Sequence, residues 1–156
     1  EIKPEDTLGS IYFDRLFPMG VAAMLEGVDL VKAGKAPKLA QNEADATYES
    51  WCTADDVAID WSQPAATVHN LIRGADPQPG AWTSHAGKRL QIYDCARLDA
   101  ASQGDPGEIM AIGGDGIEVA AGDGRILVKR VRGEGQKVAA AEYAAETGLG
   151  PGMRLG

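Results

Sequence analysis

Two glycine–aspartate clusters break the second half of this chain into short segments. Gly113-Gly114-Asp115-Gly116 and Gly122-Asp123-Gly124 stand between short runs rich in isoleucine and valine. Asp-Gly pairs at such positions signal tight hairpins, because a primed turn needs positive φ. The flanking runs, Glu108 to Ile112, Ile117 to Ala120 and Ile126 to Val131, then read as short antiparallel strands. A further strand is expected over Arg89 to Ala96. Several short strands with closely spaced turns predict a small barrel. The same glycines do not read as a phosphate-binding loop. No GxxxxGK[ST] pattern is present, and Gly113 to Gly116 joins two strands rather than a strand to a helix.

The first third of the chain has a helical texture instead. Asp6 or Thr7 can cap its first turn. Pro18 should kink the helix or divide it near Phe17. Beyond it, Val21, Met24, Leu25, Val28 and Val31 recur every three or four residues and form one apolar stripe that needs a covering surface. Gly34 is the expected stop. From Lys35 the chain reads as an extended linker. Ser62-Gln63-Pro64 then predicts the start of a second helix whose apolar face is Val68, Leu71 and Ile72, ended by Gly74 and Pro77. A short last helix is expected over Val138 to Thr147, stopped by Gly148. The fold class is therefore α+β: a helical arm (1–34), a linker (35–60) and a small OB-like or split β-barrel with flanking helices (61–156).

Composition narrows the function. The net charge is −8, from 15 basic and 23 acidic residues. Residues 1–79 carry most of it, with 6 basic and 13 acidic side chains. This balance disfavours a partner held by phosphate neutralisation and an anionic membrane surface. No apolar run approaches the roughly 20 residues that span a bilayer, and Glu1 to Asp6 lacks the apolar core of a signal peptide. Cys52 and Cys95 make neither a disulfide framework nor a CxxC metal site. A reducing cytoplasm is the expected compartment, with no metal.

No catalytic constellation assembles. His69 and His85 lack a metal-ligand partner at i+4, and no GxSxG elbow accompanies them. Asp55-Asp56 and the acids from Glu43 to Glu49 read as a solvated face. Arg125, Lys129, Arg130 and Arg132 are the densest basic group. Strand alternation is expected to send Lys129 and Arg130 to opposite sides, which breaks the group into two. Trp61 reads as a hydrophobic staple before the second helix. Trp82 reads as a lock where helix passes to barrel, with Arg73 beside it.

One set of spaced motifs goes further. Phe17-Pro18, Ala46-Thr47-Tyr48, Ile59-Asp60-Trp61 and Ile72-Arg73-Gly74 followed by Pro79-Gly80-Ala81-Trp82 resemble the C-terminal half of the folate-dependent formyltransferase family. The resemblance is closest to the hydrolase domain of 10-formyltetrahydrofolate dehydrogenase, carried by Ser62 to Ala65, His69-Asn70 and Trp82-Thr83; methionyl-tRNA formyltransferase comes next. It implies an N-terminal catalytic domain as partner, holding the catalytic Asn, His and Asp and most of the 10-formyltetrahydrofolate site. None of those catalytic residues has a counterpart here, and this chain alone is expected to be inactive. The acceptor implied is a small molecule or water. tRNA is the weaker alternative, since residues 80–156 carry 9 basic against 10 acidic side chains. The residues expected to serve the substrate or the domain interface are Arg73, Trp82, Arg125 and Arg130.

Overall fold

The computed structural model describes residues 1–156, which form two units, Glu1–Trp51 and Cys52–Gly156. The first unit opens on Thr7, whose Oγ1 accepts the Ser10 N–H at 3.1 Å while Ser10 Oγ accepts the Thr7 N–H at 3.0 Å. This reciprocal capping box decides between the two candidate caps and starts α1, Leu8–Ile11. Asp6 turns instead to Arg15 and the Lys3 N–H.

Pro18 neither ends nor divides the helix. A π-helical stretch, Tyr12–Leu16, joins α1 to α2, Phe17–Lys32. The Phe17 N–H reaches back five residues to the Tyr12 carbonyl. The wider turn accommodates a proline ring that would clash with the carbonyl four residues back in a regular helix. Gly34, at φ 69°, ends α2 in a Schellman motif: its N–H bonds Val31 O and the Lys35 N–H bonds Leu30 O. No residue of α2 is buried. Met24 and Val31 are 69 % and 67 % exposed, so the apolar stripe lies open.

In the second unit a 3₁₀ turn, Asp55–Val57, precedes α3, Ala65–Ala75. The strands are β1 Trp82–His85, β2 Lys88–Leu98, β3 Ile109–Gly113, β4 Gly116–Ala120, β5 Arg125–Arg132 and β6 Val138–Ala139, followed by α4, Ala140–Thr147. They form one antiparallel sheet in the order β1-β2-β5-β4-β3, with β6 also on β5. Both glycine–aspartate clusters are hairpins. Gly113 pairs with Gly116 across a two-residue loop, and Ala120 pairs with Arg125 across the second. A third hairpin carries no Asp-Gly signal. His85 pairs with Lys88 around Ala86 and Gly87, at φ 51° and 76°.

The chain end joins the two sheet edges. Leu155 N–H bonds Gly107 O and Ile109 N–H bonds Met153 O on the β3 side, while Gly156 N–H bonds Ser84 O on β1. Residues 52–60, grouped by sequence with the linker, also pack in this unit. Val57 is buried, and the Ile59 N–H donates to Trp82 O at 2.8 Å. The core holds Trp61, Val68 and Ile72 against Leu90, Ile92, Val119, Ile126 and Val131. Trp61 is more than a staple: its Nε1 donates to Thr83 Oγ1 on β1 at 3.0 Å, deep in this core. No helix is long and apolar enough to cross a membrane.

The start of α3 corrects one expectation. Ser62 does not cap it, because its hydroxyl and N–H both go to Asp60 Oδ1. Pro64 occupies the cap position without a side-chain bond. The orphan N–H of Ala65 is met by Asp123 Oδ1 at 2.7 Å, from the second glycine–aspartate turn. Gly122 makes the approach possible: a Cβ there would stand 2.3 Å from Ser62 O. Asp123→Ala is expected to lower stability by about 1 kcal/mol, the usual loss of a helix cap. Urea unfolding checks this, and an unchanged midpoint would show that the cap contributes nothing.

Candidate functional site

The four residues singled out by sequence do not converge. Arg73, in the last turn of α3, donates from Nε to Asn70 Oδ1 at 2.8 Å. Trp82 opens β1, half-buried, with Nε1 on Ala54 O at 2.6 Å and the Arg89 guanidinium 4.2 Å above its ring. That hydrogen bond ties residues 52–60 to the sheet. Arg125 and Arg130 sit at opposite ends of β5, about 16 Å apart by the strand rise.

What the structure does assemble is a cationic strip along β5, and its geometry corrects the strand-alternation expectation. Ile126 and Val128 face the core, but the next core residue is Val131, three positions on. The phase therefore slips by one. Opposite the slip, Asp94 of β2 has φ 45°, and the ladder passes from Tyr93↔Arg130 directly to Cys95↔Val128. On β2 the core side passes likewise from Leu90 and Ile92 to Cys95. Lys129 and Arg130 consequently both leave on the side away from the core, together with Arg125 and Arg132. Simple period-two counting from sequence cannot foresee this, because one left-handed residue on the neighbouring strand resets the pleat. Aspartate is one of the few side chains that tolerates that conformation.

Each cation on the strip has a partner. Arg125 pairs with Glu118 of β4 at 3.2 Å and Lys129 with Asp94 at 3.4 Å. Arg130 donates to Lys137 O at 3.0 Å, and Arg132 Nε donates to Gln91 Oε1 at 2.8 Å. Lys137 lies 3.8 Å from Asp76 and 3.6 Å above the Tyr93 ring. Tyr93 is buried beneath these cations, and burial raises its phenol above the usual range. Gly80, at φ 86°, lets the chain pass close by; a Cβ there would stand 2.6 Å from Tyr93 Oη. The Nε of Arg125 is buried without a hydrogen-bond partner.

Of the two free cysteines, Cys52 is exposed and Cys95 half-buried. Burial pushes the Cys95 thiol up to about 12, aided by Asp94 and Asp76, which leaves it unreactive. Burial, followed by Arg73 and Arg97, holds the His69 imidazole below its ordinary value. His85 Nδ1 lies 2.8 Å from Tyr143 Oη and joins β1 to α4. No group of three or more His, Cys, Asp or Glu side chains gathers as a metal site. A cavity of about 580 Å³ opens beside the start of α3, between Ala66, Arg97, Asp99, Ala101 and Asp123. No aromatic side chain lines it.

The C-terminal domain of formyl transferases matches residues 52–147. Methionyl-tRNA formyltransferase of Moorella thermoacetica is 39 % identical over 156 residues, covering 99 % of this chain and 50 % of the relative. Mitochondrial 10-formyltetrahydrofolate dehydrogenase of Homo sapiens is 36 % identical over 154 residues, covering 92 % of this chain and 16 % of that protein. The chain thus spans about half the length of the methionyl-tRNA formyltransferases it matches. Among solved structures, HypX from Aquifex aeolicus in complex with tetrahydrofolic acid superposes with a TM-score of 0.78 at 21 % identity, over 96 % of this chain and 27 % of HypX.

Proposed function

Because the chain belongs to the formyl transferase family and carries its C-terminal domain, we propose that it shapes the acceptor side of a 10-formyltetrahydrofolate-dependent formyltransferase or hydrolase, in the cytoplasm. Formyl transfer needs a nucleophile, a base and a donor to the tetrahedral oxyanion, all converging on one carbon. The catalytic half supplies that constellation and binds the folate. On this reading residues 1–34 end the catalytic part, 35–60 link, and an OB-like barrel follows from residue 61. Arg73 and Trp82 serve the junction, while Arg125 and Arg130 face the acceptor.

The observation that carries the reading is the open apolar face of α2. Met24, Leu25, Val28 and Val31 are exposed beside a shallow groove floored by Gly20 and Gly27. Small residues between large ones let another element approach closely. A soluble chain rarely leaves such a stripe bare unless a partner covers it, and the relatives have a further half that can do so. The test is formate release from 10-formyltetrahydrofolate by this chain alone and by the same chain joined to a formyltransferase catalytic half. No release by the chain alone and release by the joined protein is expected. Turnover by the chain alone would sink the proposal. A second reading, in which tRNA is the acceptor, is favoured by one feature: Lys129 and Arg130 lie on the same side of β5.

A further inference from the structure

The strip on β5 has the cations that a polyanion would need, yet its surroundings cancel most of their charge. Of its four cations and the adjacent Lys137, three, Arg125, Lys129 and Lys137, face carboxylates from three different places: Glu118 on β4, Asp94 on β2 and Asp76 just after α3. The two others, Arg130 and Arg132, spend donors on a carbonyl and an amide oxygen. These carboxylates are themselves placed by backbone geometry. Asp76 Oδ2 accepts the N–H of Asp94 at 3.1 Å, which holds Asp94 in the left-handed conformation that gathers the strip.

We propose that Asp94, Asp76 and Glu118 are specificity-determining residues that mask this cationic face and exclude polyanions from it, leaving it to small acceptors. The physical reason lies in how polyanions bind. Their affinity comes from releasing the counterions condensed on phosphates or sulfates, and each unmasked cation adds one such release. A cation already beside a carboxylate releases little, because the carboxylate is displaced into repulsion with the incoming anion. A small neutral or singly charged acceptor gains nothing from counterion release and loses nothing to the mask. Discrimination then comes from a repulsive element rather than from better contacts to the correct ligand. The proposal rests on the reading that the acceptor is small.

The experiment measures binding of heparin and of unfractionated tRNA at several salt concentrations, so that it reads the surface independently of formate release. The wild-type chain is compared with Glu118→Gln/Asp94→Asn/Asp76→Asn and with Asp94→Asn alone. Asparagine tolerates the left-handed conformation, and both amides keep an oxygen to accept the neighbouring hydrogen bonds. The triple variant is expected to bind both probes at least ~10-fold more tightly near 0.1 M salt, with a log–log salt slope steeper by about 3. Asp94→Asn alone should steepen the slope by about 1, which keeps the test decisive if the triple variant folds poorly. Unchanged binding in both variants overturns the proposal. So does tight, salt-sensitive tRNA binding by the wild-type chain, which would favour the tRNA reading. Formate release without any effect of the carboxylates on polyanion binding would defeat the mask and leave the proposed function standing.

Discussion

Ending the chain after Gly152 is expected to lower the thermal midpoint of the Cys52–Gly156 unit by at least ~12 °C. Three backbone hydrogen bonds join the last four residues to Gly107, Ile109 and Ser84, and Leu155 is 3 % exposed in the core. Removing a buried leucine side chain costs about 2–5 kcal/mol, and a unit of this size loses roughly 4 °C per kcal/mol. The truncation also exposes the facing edges of β1 and β3, whose unpaired groups invite edge-to-edge association. Leu155→Ala separates the two effects. It should reproduce most of the midpoint loss while leaving the chain monomeric by light scattering, whereas the truncated chain should associate. A truncated chain that melts within ~2 °C of the full chain would mean that the tail decorates the sheet rather than closing it.

Gly116→Ala is expected to destabilise the Cys52–Gly156 unit strongly. Gly116 stands at φ 143°, and an added Cβ would lie 2.1 Å from Val128 O and 3.2 Å from Lys129 Cα. Both neighbours are backbone atoms of the adjacent strand and cannot rotate away. The β4–β5 ladder must therefore move, at a cost of about 3 kcal/mol or more. Gly114→Ala, two residues earlier in the same turn, meets nothing within 4 Å and should stay within about 0.5 kcal/mol of wild type. Equal losses in the two variants, by urea unfolding, would show that turn flexibility rather than this close approach is what matters.

The two glycines illustrate why parts of this protein are legible and parts are not. The hairpins at Gly113–Gly116 and Gly122–Gly124 follow from local chemistry, since a tight turn needs residues that accept positive φ. The α2 stripe follows from helical spacing, and the Gly34 stop from one residue's freedom to turn left-handed. The family was legible through its motifs, which are local words in a fixed order. All of these depend on residues close together in sequence.

The rest depended on residues far apart. Nothing near Ala65 announces that Asp123 caps its helix. Nothing near Pro18 shows that a π turn will absorb it. The slip that puts Lys129 beside Arg130 is set by Asp94 on another strand, and Asp94 is held by Asp76 beyond α3. Backbone preference and side-chain period mark the two glycine–aspartate turns, the strands beside them and the α2 and α3 stripes, and the order of motifs marks the family. Packing of the whole unit settles which strands are neighbours, which side each cation leaves by and which carboxylate answers it. Pairing across tens of residues is chosen by the burial of the whole core, and no local pattern encodes it.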